Sequence, residues 1–332
     1  MSDSAARTLP PIPGPMTFGQ ILDRIFRLVR AQWKLLTRIA LLPMALNVVM
    51  IGLAGVLFLS MFLPVIEKKI DSIEPMTIAT LSGAGAIFEI GIFFVFALYL
   101  PATTYAELAI NRGASVTAGE SYRFARERYG RFLWLLFLLA LILFLPVLFM
   151  AVCFGVFALA TNGFSAANLN PAIFVFFPLL FVFYLGYLAY VVLIGLRYCF
   201  AFAICVDEQV PVREALRRSA QLTRGARGRI FLVLLVVYAI LYAAMYVFMM
   251  LIIALAAIVV FAAAAIKIQP GSPEFIALVS LGALAYVAMI VSMQAANYIG
   301  MTSAIAVLYD DQKLRLALQQ PPAVPAPPGA RA

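Results

Sequence analysis

Residues 210–231, VPVREALRRSAQLTRGARGRIF, decide how the rest of the chain is read. The run is basic and only moderately apolar, and it lies between two long apolar stretches. Residues 16–35, MTFGQILDRIFRLVRAQWKL, and 116–133, VTAGESYRFARERYGRFL, have the same character. Each is an arginine-rich amphipathic segment that leads directly into an apolar run of membrane length. The chain therefore reads as three copies of one unit, each opened by such a segment.

Working outward, the composition agrees. The chain has 332 residues, 65% hydrophobic and 12% charged, whereas a soluble domain is nearer half apolar and a quarter charged. The apolar excess is gathered into stretches longer than about 20 residues, as spanning helices require. The expected fold class is all-α: a polytopic membrane protein with six transmembrane helices in three helix-pair repeats, each preceded by an amphipathic interfacial helix. The units are about 17–116, 117–210 and 211–310 within a membrane domain of 16–318. The tails, 1–15 and the Pro-rich 319–332, are expected to be disordered, because proline-rich segments cannot continue a helix.

In the first unit Phe18, Ile21, Leu22, Ile25, Val29 and Trp33 recur at helical spacing. Gln20, Asp23, Arg24, Arg27, Arg30 and Lys34 form the opposite face. Such a helix lies well in a membrane interface. Thr17 with Gln20, and Thr117 with Glu120, have the spacing of a capping box. Pro211 stands at the third such place, where it suits a first turn but offers no capping side chain. These three positions are 100 and 94 residues apart. The polar residues that end the even-numbered apolar runs, Asn111, Asp207 and Asp310, are 96 and 103 apart. TTYAELAIN from Thr103 aligns without a gap to TSAIAVLYD from Thr302. An internal repeat of this kind implies helix pairs packed around a pseudo-symmetric centre.

Of the 24 lysines and arginines, 21 fall on one side of this arrangement; only Lys68, Lys69 and Lys267 fall on the other. The positive-inside rule then places both termini and the basic helices in the cytoplasm, and the 161–171 loop outside. The expected arrangement is a multi-pass chain crossing a membrane with both termini on the cytoplasmic side. The net charge of +9 is read as contact with anionic membrane lipids and not with nucleic acid, because the arginines flank apolar helices.

The segments 208–231, 17–36 and 101–128 resemble the bacterial membrane domain that accompanies glycerophosphoryl diester phosphodiesterases, with ALRRS followed by LTRG as its core motif. The chain is also similar to the YciC-type uncharacterised inner-membrane proteins. The resemblance covers about residues 16–318 and implies a stand-alone multi-span protein of the bacterial inner (cytoplasmic) membrane. Phosphodiesterase chemistry in that family belongs to a separate soluble barrel. This chain has no counterpart to the barrel, and it has no histidine.

No phosphate loop, metal-ligand spacing or Ser/His or Cys/His pair occurs, so no catalytic, cofactor or metal residues are expected. Cys153, Cys199 and Cys205 are expected to be buried, inert thiols. GAG from Gly83 lies in a span and suits close helix contact better than phosphate binding. TRGARGR suits an interfacial hinge gripping lipid headgroups better than a nucleotide site. The headgroup candidates are Arg24, Arg27, Arg123, Arg126, Arg217, Arg218 and Arg224.

Intramembrane polar residues are Asn47, Glu89, Glu107, Arg197, Gln294 and Asn297, each costly in lipid unless paired. Glu89 is either a proton or ion site or an outer-interface residue. Gln294 and Asn297, at i and i+3, serve either helix–helix hydrogen bonding or a polar pathway. Arg197 lies about 15 Å, and Glu107 about 6 Å, from their helix ends at 1.5 Å per residue. The spacing predicts that Arg197 pairs with Glu107 or reaches lipid phosphate. The functional expectation is a non-enzymatic lipid-interacting membrane organiser or scaffold, with anionic lipids as partners and a homo-oligomer or membrane-protein partner left open. The alternative is a transporter or channel for a small or lipid-like substrate. The fifth and sixth apolar stretches are too long for a bilayer and are expected to protrude or break.

Overall fold

The computed structural model describes residues 14–66, 75–160, 172–265 and 272–319. The expected tails, the loops carrying Lys68, Lys69 and Lys267, and the 161–171 loop lie largely outside the described residues, as do the side chains of Asn47 and Glu89. Among the described residues every element is a helix: α1 (Phe18–Ile66), α2 (Pro75–Asn111), α3 (Ala118–Glu127), α4 (Tyr129–Ala160), α5 (Ala172–Tyr198), α6 (Ala201–Asp207), α7 (Val212–Leu222), α8 (Arg227–Ala265) and α9 (Pro273–Gln319). Five stretches, Ile90–Asn111, Tyr129–Phe157, Pro178–Asp207, Arg227–Val259 and Ser280–Gln319, are long and apolar enough to cross a membrane. These lengths point to a multi-pass membrane protein.

The three amphipathic segments all fold as helices. In α1 the Thr17 amide donates to Gln20 Oε1 at 2.8 Å. In α3 the Thr117 amide donates to Glu120 Oε2 at 2.8 Å, and the Glu120 amide returns the bond to Thr117 Oγ1 at 3.3 Å. α7 starts after Pro211 with no side-chain cap. Its Glu214 instead accepts from Arg217 and Arg218 on its own helix. Each helix buries the positions four and eight residues after its cap: Ile21 and Ile25, Ser121 and Ala125, Ala215 and Ser219.

The joints between these helices and the spans differ in detail. α1 is continuous into its apolar half except at Gln32, whose φ of −125° and ψ of 22° kink it. Arg128, between α3 and α4, has nearly the same backbone, φ −119° and ψ 22°. Between α7 and α8 the turn passes through Gly225 at φ +82°. A side chain there would be strained, because Cβ crowds the backbone in the left-handed region.

The apolar run expected over 171–206 is two helices, α5 and α6. The break has a local cause. Ser219 Oγ donates to the Arg197 carbonyl at 3.0 Å and Thr223 Oγ1 does so at 3.4 Å. Two hydroxyls thus occupy a carbonyl near the break, an insertion into the helical ladder that bends or ends a helix. Asp310 and Asp311 do not end the last span; α9 runs through them to Gln319. Of the two outcomes expected for the long helices, protrusion or a break, the break is not found. α8, with 39 residues, and α9, with 47, are continuous, and would be about 58 and 70 Å long at 1.5 Å per residue.

Packing is uneven along the bundle. α3 packs on α2, α7 on α6, and the start of α1 on α9, while α2, α6 and α9 meet one another. This end holds the buried core, including Leu28, Leu36, Tyr99, Phe132, Phe200, Ile204, Leu308 and Tyr309. Away from it the helices expose Phe144, Leu148, Phe181, Val247, Leu251 and Phe261. An apolar surface of that extent calls for hydrocarbon around it.

Candidate functional site

The packed end is built around polar residues at the ends of α2 and α6 and at Asp310 within α9. Asn111 Nδ2 donates to Asp310 Oδ2 at 2.7 Å. Arg112 donates to Asp310 Oδ1 from Nη2 at 2.8 Å and also to Asp207. Burial works against the charged guanidinium, but the hydrogen bonds to Asp207 and Asp310 outweigh it and hold Arg112 above the ordinary arginine range. Tyr309 donates to Asp207 Oδ2 at 2.9 Å and Lys313 does so at 2.6 Å. Three helices are thereby held in one network whose aspartates are mostly out of water.

A second clasp closes the chain on itself. The Met16 amide donates to Asp311 Oδ1 at 2.7 Å. Its carbonyl accepts from Arg229 at 2.9 Å and from Arg315 at 2.7 Å. Both arginines also bind Asp311 Oδ2, at 2.7 and 2.9 Å. Residue 16, the start of α8 and the end of α9 therefore meet at one point, and that point contains a carboxylate with no exposed surface.

The headgroup candidates separate into three groups. Arg24 donates to Asn111 Oδ1 at 2.7 Å and to its carbonyl at 2.6 Å, so it braces the hub. Arg27 pairs with Asp23 at 2.8 Å, Arg217 with Glu214 at 2.8 Å, and Arg218 with Glu214 at 2.9 Å and with Glu208. The Arg217 and Arg218 hydrogen bonds hold the Glu214 carboxyl below its usual value. Arg123, Arg126 and Arg224 are exposed and take part in no hydrogen bond or ion pair among the described residues.

The intramembrane candidates do not converge on one site. The expected Arg197–Glu107 pair is not formed. Glu107 is fully buried and its Oε1 accepts from Thr302 and Ser303, each at 2.8 Å. Arg197 is exposed, with its guanidinium 5.4 Å from the Tyr198 ring centroid. Arg197 lies at the C-terminal end of α5, before the break that separates it from α6. Glu107 Oε2 and Gln294 Oε1 are buried without a hydrogen-bond partner, and Asn297 is half-buried. Of the thiols expected to be buried, Cys205 is, Cys199 is partly so, and Cys153 is exposed on the apolar surface.

Two clefts flank the hub. One, of about 550 Å³, is lined by Leu42 of α1, Leu98 of α2, and Gly119, Tyr122, Arg123 and Arg126 of α3. The other, of about 370 Å³, lies between α1, α8 and α9 and includes Phe26, Trp33, Val237, Leu241, Ala295 and Ile299. A third hollow of about 390 Å³, which shares Arg123 with the first cleft, is polar and carries Glu120 and Glu127 beside Arg123 and Arg128.

The hub residues were visible in the sequence only as helix terminators. Their equivalence in the counted repeat was the signal, since equivalent ends of helices packed about one centre must approach one another. Comparison with protein families, with curated proteins and with solved structures finds no match.

Proposed function

We propose that this chain is a non-enzymatic integral membrane protein that binds anionic lipid at the basic end of its bundle and acts as a membrane organiser or scaffold. The observation that carries the reading is the division of labour among the arginines. Arg24, Arg112, Arg229 and Arg315 are spent on the hub and clasp. Arg126 and Arg224, and Arg123 beside Glu120, are exposed without a hydrogen bond or ion pair among the described residues on the same packed end, beside helices that bear an apolar surface. Unpaired basic residues where apolar helices meet the aqueous phase are what anionic headgroups attract.

The same proposal takes the chain as six spans in three repeats, a stand-alone relative of the membrane-domain family its motifs resemble. Parity supports six. Met16 bonds Asp311 and Arg315 of α9, a closure of the chain's start on its last helix that favours an even number of crossings. Five stretches already qualify, and the apolar half of α1 supplies the sixth. The repeat is supported by the cyclic packing, in which each amphipathic helix lies on the even helix of the unit before it and α1 closes on α9. It is also supported by Tyr99 and Tyr298, four residues before the aligned Thr103 and Thr302, whose rings meet edge to face at 6.0 Å. The excess of basic residues assigns the packed end to the cytoplasm of a bacterial inner membrane.

A second reading, a transporter or channel for a small or lipid-like substrate, draws on the unpartnered Glu107 Oε2 and Gln294 Oε1. It is the weaker one, because Glu107 is tied to Thr302 and Ser303 and lines none of the three cavities described. The deciding measurement is native mass spectrometry of the full chain in detergent, titrated with phosphatidylglycerol or phosphatidylcholine. Preferential retention of phosphatidylglycerol that weakens with salt is expected. Equal retention of the two lipids would remove the reading.

A further inference from the structure

We infer that the cleft between α1, α2 and α3 is a defined binding site for one anionic phospholipid, with Arg123 and Arg126 on its phosphate and Leu42 and Leu98 along an acyl chain. The inference rests on the proposed lipid-binding role and assigns it a place and a stoichiometry.

The geometry builds the site in layers. Gly119, Tyr122, Arg123 and Arg126 stand at i, i+3, i+4 and i+7, so they form one stripe along α3. Tyr122 donates its hydroxyl to the Ile39 carbonyl, which ties that stripe to α1. Ser121 and Ala125, buried, fix the helix from the other side. The two guanidiniums thus stand on a held helix, at the mouth of a cleft whose remaining walls come from two apolar helices. No carboxylate lines the cleft, and neither arginine has a hydrogen bond or ion pair elsewhere among the described residues. A small anion would satisfy the arginines and leave the leucine wall bare; a neutral lipid would do the reverse. An anionic phospholipid meets both demands, and the cleft's volume of about 550 Å³ admits a headgroup and the first part of a chain.

The cleft between α1, α8 and α9 provides an internal comparison. It too is formed by an amphipathic helix set against the helix pair that precedes it in the cyclic order. Counting from the caps, Phe26 there stands where Arg126 stands in α3, and Asp23 where Arg123 stands. Asp23 is neutralised by Arg27 at 2.8 Å, and no charged side chain lines that cleft. The two clefts therefore share an apolar wall and differ in charge. Selectivity for an anionic headgroup belongs to the α3 cleft, and the α1–α8–α9 cleft takes chains without that preference.

The test uses the full chain in detergent and native mass spectrometry, with phosphatidylglycerol, phosphatidylcholine and inorganic phosphate as separate probes. Arg123→Gln/Arg126→Gln should weaken the tightest phosphatidylglycerol event roughly tenfold or more, at about 1 kcal/mol per basic residue, and leave phosphatidylcholine unchanged. Gly119→Leu fills the cleft without removing charge; a Cβ at Gly119 meets nothing within 4 Å, so the fold should tolerate it. It should reduce phosphatidylglycerol binding as well. Arg213→Gln on α7, which lines neither cleft, should leave that event unchanged. Wild-type preference for phosphatidylglycerol that survives both α3 variants overturns this site while leaving the general role standing. Absence of any preference in the wild type overturns both. Inorganic phosphate bound as tightly as phosphatidylglycerol overturns the lipid assignment of the cleft.

Discussion

Arg112 shows how much depends on one side chain at this end of the molecule. It bridges Asp310, whose side chain is 8% exposed, and Asp207, at 11%. Removing it leaves Asp310 with Asn111 and Asp207 with Lys313 and Tyr309, two poorly hydrated carboxylates that have lost their shared cation. Breaking a buried pair on one side costs about 3–5 kcal/mol. Arg112 itself is 43% exposed, so solvent screening brings the expected cost of Arg112→Gln to about 2–3 kcal/mol. Arg27→Gln breaks a pair whose members are 67% and 56% exposed and should cost under about 0.5 kcal/mol. Thermal unfolding of the two variants in detergent measures the difference; equal losses would show that the hub is not held by Arg112. The sequence offered Arg27 as a headgroup candidate and Arg112 only as a basic residue where an apolar run stops. It carried no information on which arginines are spent internally, because that depends on carboxylates 95 and 198 residues away.

Among the elements, α3 is the one whose local chemistry was legible in advance. Thr117 and Glu120 form the reciprocal cap that their spacing predicts. The Thr117 backbone and side-chain hydrogen bonds hold the Glu120 carboxyl below its ordinary value. A carboxyl with a depressed folded pKa contributes stability that is present above its unfolded value and is lost as pH falls through the folded one. Hydrogen-exchange protection of the α3 amides should therefore drop as pH is lowered beneath about 4. Glu120→Gln, which keeps a neutral acceptor, should flatten that dependence. Protection that falls equally in both would assign the acid response elsewhere. The α5–α6 break was not legible, since Ser219 and Thr223 reach the Arg197 carbonyl from 22 and 26 residues away. A continuous apolar run gives no warning of a hydroxyl arriving from another helix.

For the whole molecule, the closure of α1 on α9 constrains the topology. With six crossings, Gln20 and Gln319 share a face, and Ser165 lies on the opposite one. Single cysteines at these positions, in a chain with Cys153, Cys199 and Cys205 replaced by Ala, should label as two groups with an impermeant maleimide. Residues 20 and 319 should react together only after the membrane is opened on their side, and residue 165 from the other. Residues 20 and 319 labelling from opposite faces would contradict the closure through Met16 and Asp311; residue 165 labelling with them would overturn the six-span reading.

Periodicity and charge in the sequence alone were enough to establish an all-helical membrane chain and to place its three basic amphipathic helices, because helix formation and lipid burial are set by near neighbours and by apolar length. Residue spacing also located both complete capping boxes. The tertiary structure alone decided which polar residues meet. It tied Glu107 to Thr302 and Ser303 in place of Arg197, drew Asn111, Asp207 and Asp310 into one network through Arg112, and left Arg123 and Arg126 beside an apolar cleft. Such pairings depend on the angles at which helices cross and end, and those are set by packing between segments far apart in the chain.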